Sequence, residues 1–229
     1  MVWAEQAVFT SLQRHGRGGY HLVSRSQGIG GQDAQALSSW SPSHGALHVD
    51  PHNQVSVNLH PLPSGRLALS RTCEGPPEYS GRGGRQLYTH ILVLEDRALR
   101  AAGGQPFSLY RNALALGYLL YHPNPPTVLE PIRLPTFFIP RTSKEWLKLA
   151  FDLRLPNLEP LRDRLAAGKP VRVAYAGDRM VLAECLIGSL PEEAARRVSF
   201  ATSLEPSSVR PYLLTLIGTG PRPQASRPA

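Results

Sequence analysis

The sequence predicts an α+β protein with a mixed, largely antiparallel sheet in the first half and a helix-rich second half that returns two strands. Short alternating segments separated by Gly and Pro turns fill the first half, and longer segments with helical spacing follow them. Two apolar segments, VSFAT and YLLTLI, then close the chain as strands. We therefore expect a strand-rich subdomain over residues 1–104, a helix-rich subdomain over 105–217 and a disordered tail over 218–229.

The predicted strands differ in how many of their faces are apolar. EQAVFTSL and YHLVSRS flank a glycine cluster and predict a hairpin or two neighbouring strands. In QVSVNLH, Val55, Val57 and Leu59 alternate with polar residues, which predicts a sheet with one wet face. RLALSRT ends an apolar row with Arg71, and LYTHILVL is apolar on both faces. The last pattern is typical of a central strand.

The helices are predicted from amphipathic spacing and from residues that cap or stop a helix. DAQALSSW, PFSLYRNALALGYLLYH, SKEWLKLAF and NLEPLRDRLAAG have these features, and PVRVAYAGDRMVLAECLIGSLP reads as strand, turn and helix. Phe107, Tyr110 and Leu114 share one stripe, and Gly168 is a C-terminal stop. The prolines between residues 123 and 140 exclude regular helix throughout that connection.

Composition limits the classes of partner and compartment. The chain has 229 residues, a net charge of +8 and a pI of about 9.9, but its basic residues are nearly all scattered arginines without a dense Lys/Arg block. Nucleic acid is therefore a disfavoured partner, and non-specific binding stays open. Cys73 and Cys185 are far apart, which indicates neither a disulfide framework nor a zinc site. With no segment near the roughly 20 apolar residues of a membrane span, we expect a cytoplasmic protein.

The tetrapeptide Gly-Arg-Gly-Gly occurs at residues 16–19 and again at 81–84, each time just before a strand. Glycines permit positive φ, and successive backbone N–H groups can then form a nest that binds an anion, with an arginine adding charge. The residues of this predicted anion-binding or partner-binding site are Arg17, Gly18, Gly19, Arg82, Gly83 and Gly84. Because neither loop matches a Walker loop or a dinucleotide fingerprint, ordinary tight turns before core strands are the favoured interpretation.

The weak catalytic candidates are His90, Tyr88 and Arg71. Alternate positions on a strand present His90 and Tyr88 to one face, with His90 as a general base and Tyr88 as an acid or orienting donor. Leu92 and Leu94 share that face, which favours a buried structural histidine instead. Arg71 is expected either to bind an anion or to form a buried ion pair with Glu74 or Glu78. The histidines lack the spacing of a zinc protease and no Gly-x-Ser-x-Gly elbow occurs, so we expect no metal and no cofactor.

Several segments carry a resemblance to a known family. They are EQAVFTSLQRHGRGGYHLVSRSQGI, LSSWSPSHGAL, SVNLHPLPSGRLALSRTCEGPPEYSGRGGRQLYTHILVL and LIGSLPEEAARRVSFATSLEPSSVRPYLLTLI. Together they resemble the N-terminal region of bacterial GTPase-associated proteins, which are components of multi-gene systems associated with biological conflict. The resemblance implies a module that is encoded beside a GTPase and acts through protein contacts. It supplies no catalytic residues.

Three functional hypotheses follow. The leading one is a cytosolic interaction or adaptor module that docks another protein of a GTPase-associated system, with the arginine-bearing loops in the contact surface. The second is a hydrolase or nucleotide-processing enzyme that uses His90, Tyr88 and Arg71 around a glycine loop. The third is a non-specific nucleic-acid binder, whose affinity would fall steeply with added salt.

Overall fold

A computed structural model describes residues 1–13, 18–78 and 84–220. Within them the strands are β1 (Val2–Ser11), β2 (Tyr20–Arg25), β3 (Val55–Pro61), β4 (Leu67–Pro77), β5 (Arg85–Leu94), β6 (Ile132–Leu134), β7 (Val171–Ala174), β8 (Phe200–Ala201) and β9 (Leu214–Ile217). The helices are α1 (Gly31–Trp40), α2 (Asp96–Ala101), α3 (Pro106–Ala115), α4 (Ser143–Asp152), α5 (Glu159–Ala166), α6 (Arg179–Gly188) and α7 (Glu192–Arg197). The predicted α+β class is confirmed.

All the strands join one mixed sheet in the order β2-β1-β5-β4-β3-β8-β9-β7, with β6 paired to β1. The pairs from β2 to β8 are antiparallel, whereas β9 runs parallel to both β8 and β7. Strand β5 lies between β1 and β4, and its residues 87–94 are buried. The prediction of a central strand from its two apolar faces is therefore confirmed.

The main core lies between one face of the sheet and the helices of the second half. Leu59, Leu69 and Leu92 from neighbouring strands belong to the same buried cluster as residues of α2 to α7. A smaller cluster on the opposite face joins Ile91 of β5 to Leu37 of α1. The helices of the second half therefore cover one face of the sheet, and α1 packs against the other.

The polar face of β3 is buried rather than wet, which corrects the interpretation of its alternating sequence. Ser56, Asn58 and His60 are each less than 5% exposed. The Ser56 hydroxyl donates to the Asn58 side chain over 2.6 Å, and the Trp40 ring stacks on His60 with centroids 4.4 Å apart. Alternation of polar and apolar residues indicates which side chains share a face of the strand. A polar face can nevertheless be buried when its side chains form hydrogen bonds with each other.

Both sides of the predicted boundary at residues 104/105 contribute to the same sheet. The boundary falls between α2 and α3, at Gly103 and Gly104, which both have positive φ. The second half supplies β6 to β9: the strands predicted from PVRVAY, VSFAT and YLLTLI are present as β7, β8 and β9, and the short β6 is an additional strand. Most of the predicted tail, from residue 221 onward, lies outside the described residues.

Candidate functional site

The β1–β2 and β4–β5 hairpins end side by side, at the same end of the strands of the sheet. Because β1 pairs with β5, the end of β1 and the start of β2 lie next to the end of β4 and the start of β5. The Ser11 hydroxyl donates to the Glu78 carboxylate over 3.1 Å, and the Leu87 N–H donates to the Tyr20 hydroxyl over 2.9 Å. We call the described residues here, 11–13, 18–21, 74–78 and 84–87, the hairpin edge.

The residues of the predicted anion-binding loops fall partly within the hairpin edge. Gly19 and Gly84 have φ values of +83° and +87°, in the region that favours glycine. A Cβ on Gly84 would also overlap the His44 imidazole, so the space at that position favours glycine as well as its backbone conformation. Gly18 lies at the edge as well, whereas Arg17, Arg82 and Gly83 lie outside the described residues. Anion binding by these loops stays a prediction.

A cavity of about 660 Å³ opens on the helical face of the sheet beside the hairpin edge. We call it the β4 cavity, because β4 and the residues opposite it form much of its wall. Its charged lining residues are Arg71, Glu74 and Arg85, and Cys73 contributes a thiol. Leu120 and Tyr121 also line it. The space is therefore lined by both apolar and charged groups.

Arg71 reaches this cavity, but its predicted pairing with Glu74 or Glu78 is wrong. Its guanidinium Nη1 donates to the Leu119 carbonyl over 3.1 Å. Glu74 pairs instead with Arg85, over 3.2 Å, and Glu78 lies 3.8 Å from His44 Nδ1. The sequence showed that an arginine ends an apolar row, but its backbone partner comes from a distant segment that local spacing does not reveal.

His90 and Tyr88 share the face of Arg71 but are enclosed. His90 is 8% exposed and lies opposite Arg71 in the β4–β5 pairing, with its Nε2 3.1 Å from the Gln6 side-chain oxygen. Burial lowers the pKa of His90 to about 4, so the imidazole is neutral at pH 7. Burial raises the pKa of Tyr88 to about 12, which keeps the phenol protonated. Of the three catalytic candidates, Arg71 alone is among the described residues that line the β4 cavity.

Arg179 is a buried charge that the sequence analysis missed. Its side chain is fully buried at the start of α6, and its Nη1 donates to the Asp50 carboxylate over 2.7 Å. The same guanidinium donates to the carbonyls of His48 and Thr202 and to the Ser203 hydroxyl. These partners come from two separate parts of the chain, so the arginine ties α6 to the loop before β3 and to the segment after β8. No local pattern marks this role.

The described residues contain no cluster of three His, Cys, Asp or Glu side chains that could hold a metal ion. In the same part of the chain, every helix is too short or too polar to cross a bilayer.

Comparison with known proteins identifies one family. The chain matches no curated protein and no solved structure. The sequence profile of GTPase-associated protein 1, N-terminal domain type 2, matches residues 3–134. This segment includes β1 apart from Val2, β2 to β6, the hairpin edge and the β4 cavity, and it covers more than half of the 229 residues. The chain therefore belongs to the family of GTPase-associated protein 1 N-terminal domains of type 2.

Proposed function

We propose that this protein is an adaptor module of a GTPase-associated system and that its hairpin edge docks another protein of that system. Membership of the family supports the association with a GTPase. The docking role is our inference from the neighbouring positions of the two hairpin ends and from the arginines in the sequences of their loops. The hairpin edge lies wholly within the segment that matches the family.

The observation that carries the proposal is that the two hairpin ends are neighbours. The Ser11–Glu78 and Tyr20–Leu87 hydrogen bonds hold the arms of one hairpin against the other. The sequence places Arg17 between the arms of the first hairpin and Arg82 between those of the second. The loop sequences 14–17 and 79–83 contain Arg14, Arg17 and Arg82 and no Asp or Glu, and basic loops suit a partner with an acidic surface, because complementary charge speeds association and selects the partner.

Affinity purification with charge-reversed loops tests this proposal. The tagged protein is expressed together with the products of the genes that neighbour its own, and the recovered proteins are identified. We expect one of them to be recovered, and we expect the double variant Arg17→Glu, Arg82→Glu to lower its affinity by about tenfold or more.

A matched double variant controls for net charge. Arg97 and Arg172 are exposed and lie away from the hairpin edge, on α2 and β7. The change Arg97→Glu with Arg172→Glu alters the net charge by the same amount and is expected to leave recovery unchanged. Recovery of no neighbouring product, or equal loss in both double variants, would refute docking at the hairpin edge.

We further infer that the system is cytoplasmic and acts in bacterial conflict or defence. The support is the resemblance of the sequence to proteins of such systems. Phage challenge of strains with and without the complete gene cluster tests this role. A cluster that lacks only this gene is expected to lose protection, and unchanged protection would count against the role.

A further inference from the structure

We infer that the β4 cavity binds a small ligand that carries an anionic group on a flat apolar body, with Arg71 as the charge partner of the anion. This ligand site goes beyond partner docking, which uses the neighbouring hairpin edge. Failure of either proposal leaves the other standing, because one concerns a small molecule and the other a protein.

The size and walls of the cavity suit a small ring. Its volume of about 660 Å³ lies within the range of roughly 300–1,000 Å³ that is usual for ligand pockets. Val55, Leu120 and Tyr121 supply apolar wall, and Leu120 and Tyr121 remain 49% and 37% exposed. The Tyr121 ring packs edge-on against Tyr88 with centroids 5.0 Å apart, so the buried phenol supports it. A flat apolar group would cover this partly exposed surface.

Within the described residues, the charge of Arg71 has no carboxylate partner. Its guanidinium contacts a carbonyl, and its other polar neighbours, Cys73 and Tyr110, are neutral at pH 7 because burial raises the pKa of both groups. Of the described residues that line the cavity, Glu74 alone carries a carboxylate, and it already pairs with Arg85. Among the described residues no carboxylate forms an ion pair with Arg71.

The remaining parts of the chain do not offer the missing counter-ion from a side chain. Residues 14–17, 79–83 and 221–229 contain no Asp or Glu. A partly buried cation without a carboxylate partner is costly, since its lost hydration is not repaid by an ion pair. An anionic ligand would supply that ion pair, and a charged side chain in a concave site is a candidate binding group.

The guanidinium is also held in place. The Arg71 Nη1 bond to the Leu119 carbonyl fixes one of its nitrogens. Leu119 itself has a φ of 61°, which is unusual for a residue with a side chain, and that side chain is fully buried. Because the carbonyl belongs to an anchored segment, Arg71 needs little ordering when it binds.

Two probes of one shape test the inference on the unmodified protein. The charged probe is 2-naphthoate and the neutral one is 2-naphthamide, with binding measured by equilibrium dialysis. We expect naphthoate to bind about tenfold more tightly, because a hydrogen bond to a charged group is stronger than one to a neutral group. Equal binding, or no binding of naphthoate at millimolar concentration, would overturn the inference. A third probe, 2-naphthyl phosphate, distinguishes a preference for phosphate from one for carboxylate.

Variants of Arg71 assign the preference to that residue. Arg71→Gln is expected to remove the advantage of naphthoate, whereas Arg71→Lys keeps the charge and is expected to retain part of it. Arg133→Gln is the matched control, since Arg133 is exposed and lies over the Trp3 ring, 5.8 Å from its centroid. A folded Arg71→Gln protein that still prefers naphthoate would contradict the role of Arg71.

The thiol of Cys73 reports where the probe binds, even if the Arg71 variants do not fold. Cys73 lines the cavity and is a free cysteine. We expect saturating naphthoate to slow the modification of Cys73 by methyl methanethiosulfonate in the unmodified protein by severalfold. An unchanged rate under saturating naphthoate would place the probe elsewhere and overturn the assignment to the β4 cavity.

Discussion

Two buried basic side chains show how the protein accommodates ionisable groups at the scale of single residues. The buried Arg179 guanidinium donates hydrogen bonds to the Asp50 carboxylate, to the carbonyls of His48 and Thr202 and to the Ser203 hydroxyl. His90 is neutral at pH 7 because burial lowers its pKa to about 4. The first arrangement fixes tertiary structure, and the second favours a structural histidine over a general base that works near neutral pH.

Loss of the Arg179 guanidinium should strongly destabilise the fold. Arg179→Met leaves buried carbonyls without a donor and Asp50 without its cation, so we expect the free energy of unfolding to fall by about 3–5 kcal/mol. Urea denaturation measures the change. Arg100→Met removes an exposed pair with Asp96 and should cost less than about 1 kcal/mol. Similar losses in both variants would contradict the structural role of Arg179.

His90 should make stability depend on pH in a defined window. The unfolded chain binds a proton near the ordinary value of 6.5, whereas the folded protein resists protonation down to about 4. The folded pKa is the lower one, so stability is lost as the pH falls from 6.5 to about 4, by up to ~3 kcal/mol from this group. Urea denaturation of His90→Gln across this range should show a shallower pH dependence than the unmodified protein. Parallel curves would show that His90 is not buried in its neutral form.

At the scale of elements, sequence patterns succeeded where a local rule decides the structure. The two apolar faces of β5 identify a central strand, and alternation in β3 identifies which side chains share a face. The burial of Ser56, Asn58 and His60 was not predictable from the alternation, because the Trp40 ring that stacks on His60 comes from another segment of the chain. The partner of Arg71 was missed for the same reason, since Leu119 is far away in sequence.

The start of α6 illustrates a local rule with a measurable effect. The Asp178 carboxylate accepts hydrogen bonds from the N–H groups of Met180 and Val181, over 2.9 and 3.0 Å. We expect Asp178→Ala to lower the free energy of unfolding by about 1 kcal/mol, because these donors lose their cap. Thermal and urea denaturation measure the change. Asp178→Asn retains a capping oxygen and should be nearly neutral, so an equal loss in both variants would argue against capping.

At the scale of the whole molecule, one sheet connects the segment that matches the family to the rest of the chain. Strand β8 pairs with β3, and β9 and β7 extend the sheet by parallel pairing. The sequence predicted VSFAT and YLLTLI as strands but not their neighbours, because strand order depends on contacts between distant segments. Likewise, the two glycine-rich loops were evident in the sequence, but the Ser11–Glu78 contact between their hairpins required the fold.

The central claim is that the hairpin edge is the surface that docks a partner. Hydrogen–deuterium exchange of the protein, free and in complex with the neighbouring gene product that it recovers, tests this claim most directly. The account predicts slower exchange on binding in peptides that cover residues 10–21 and 76–87. Protection confined to the helices between residues 143 and 197, with both hairpins unchanged, would contradict it.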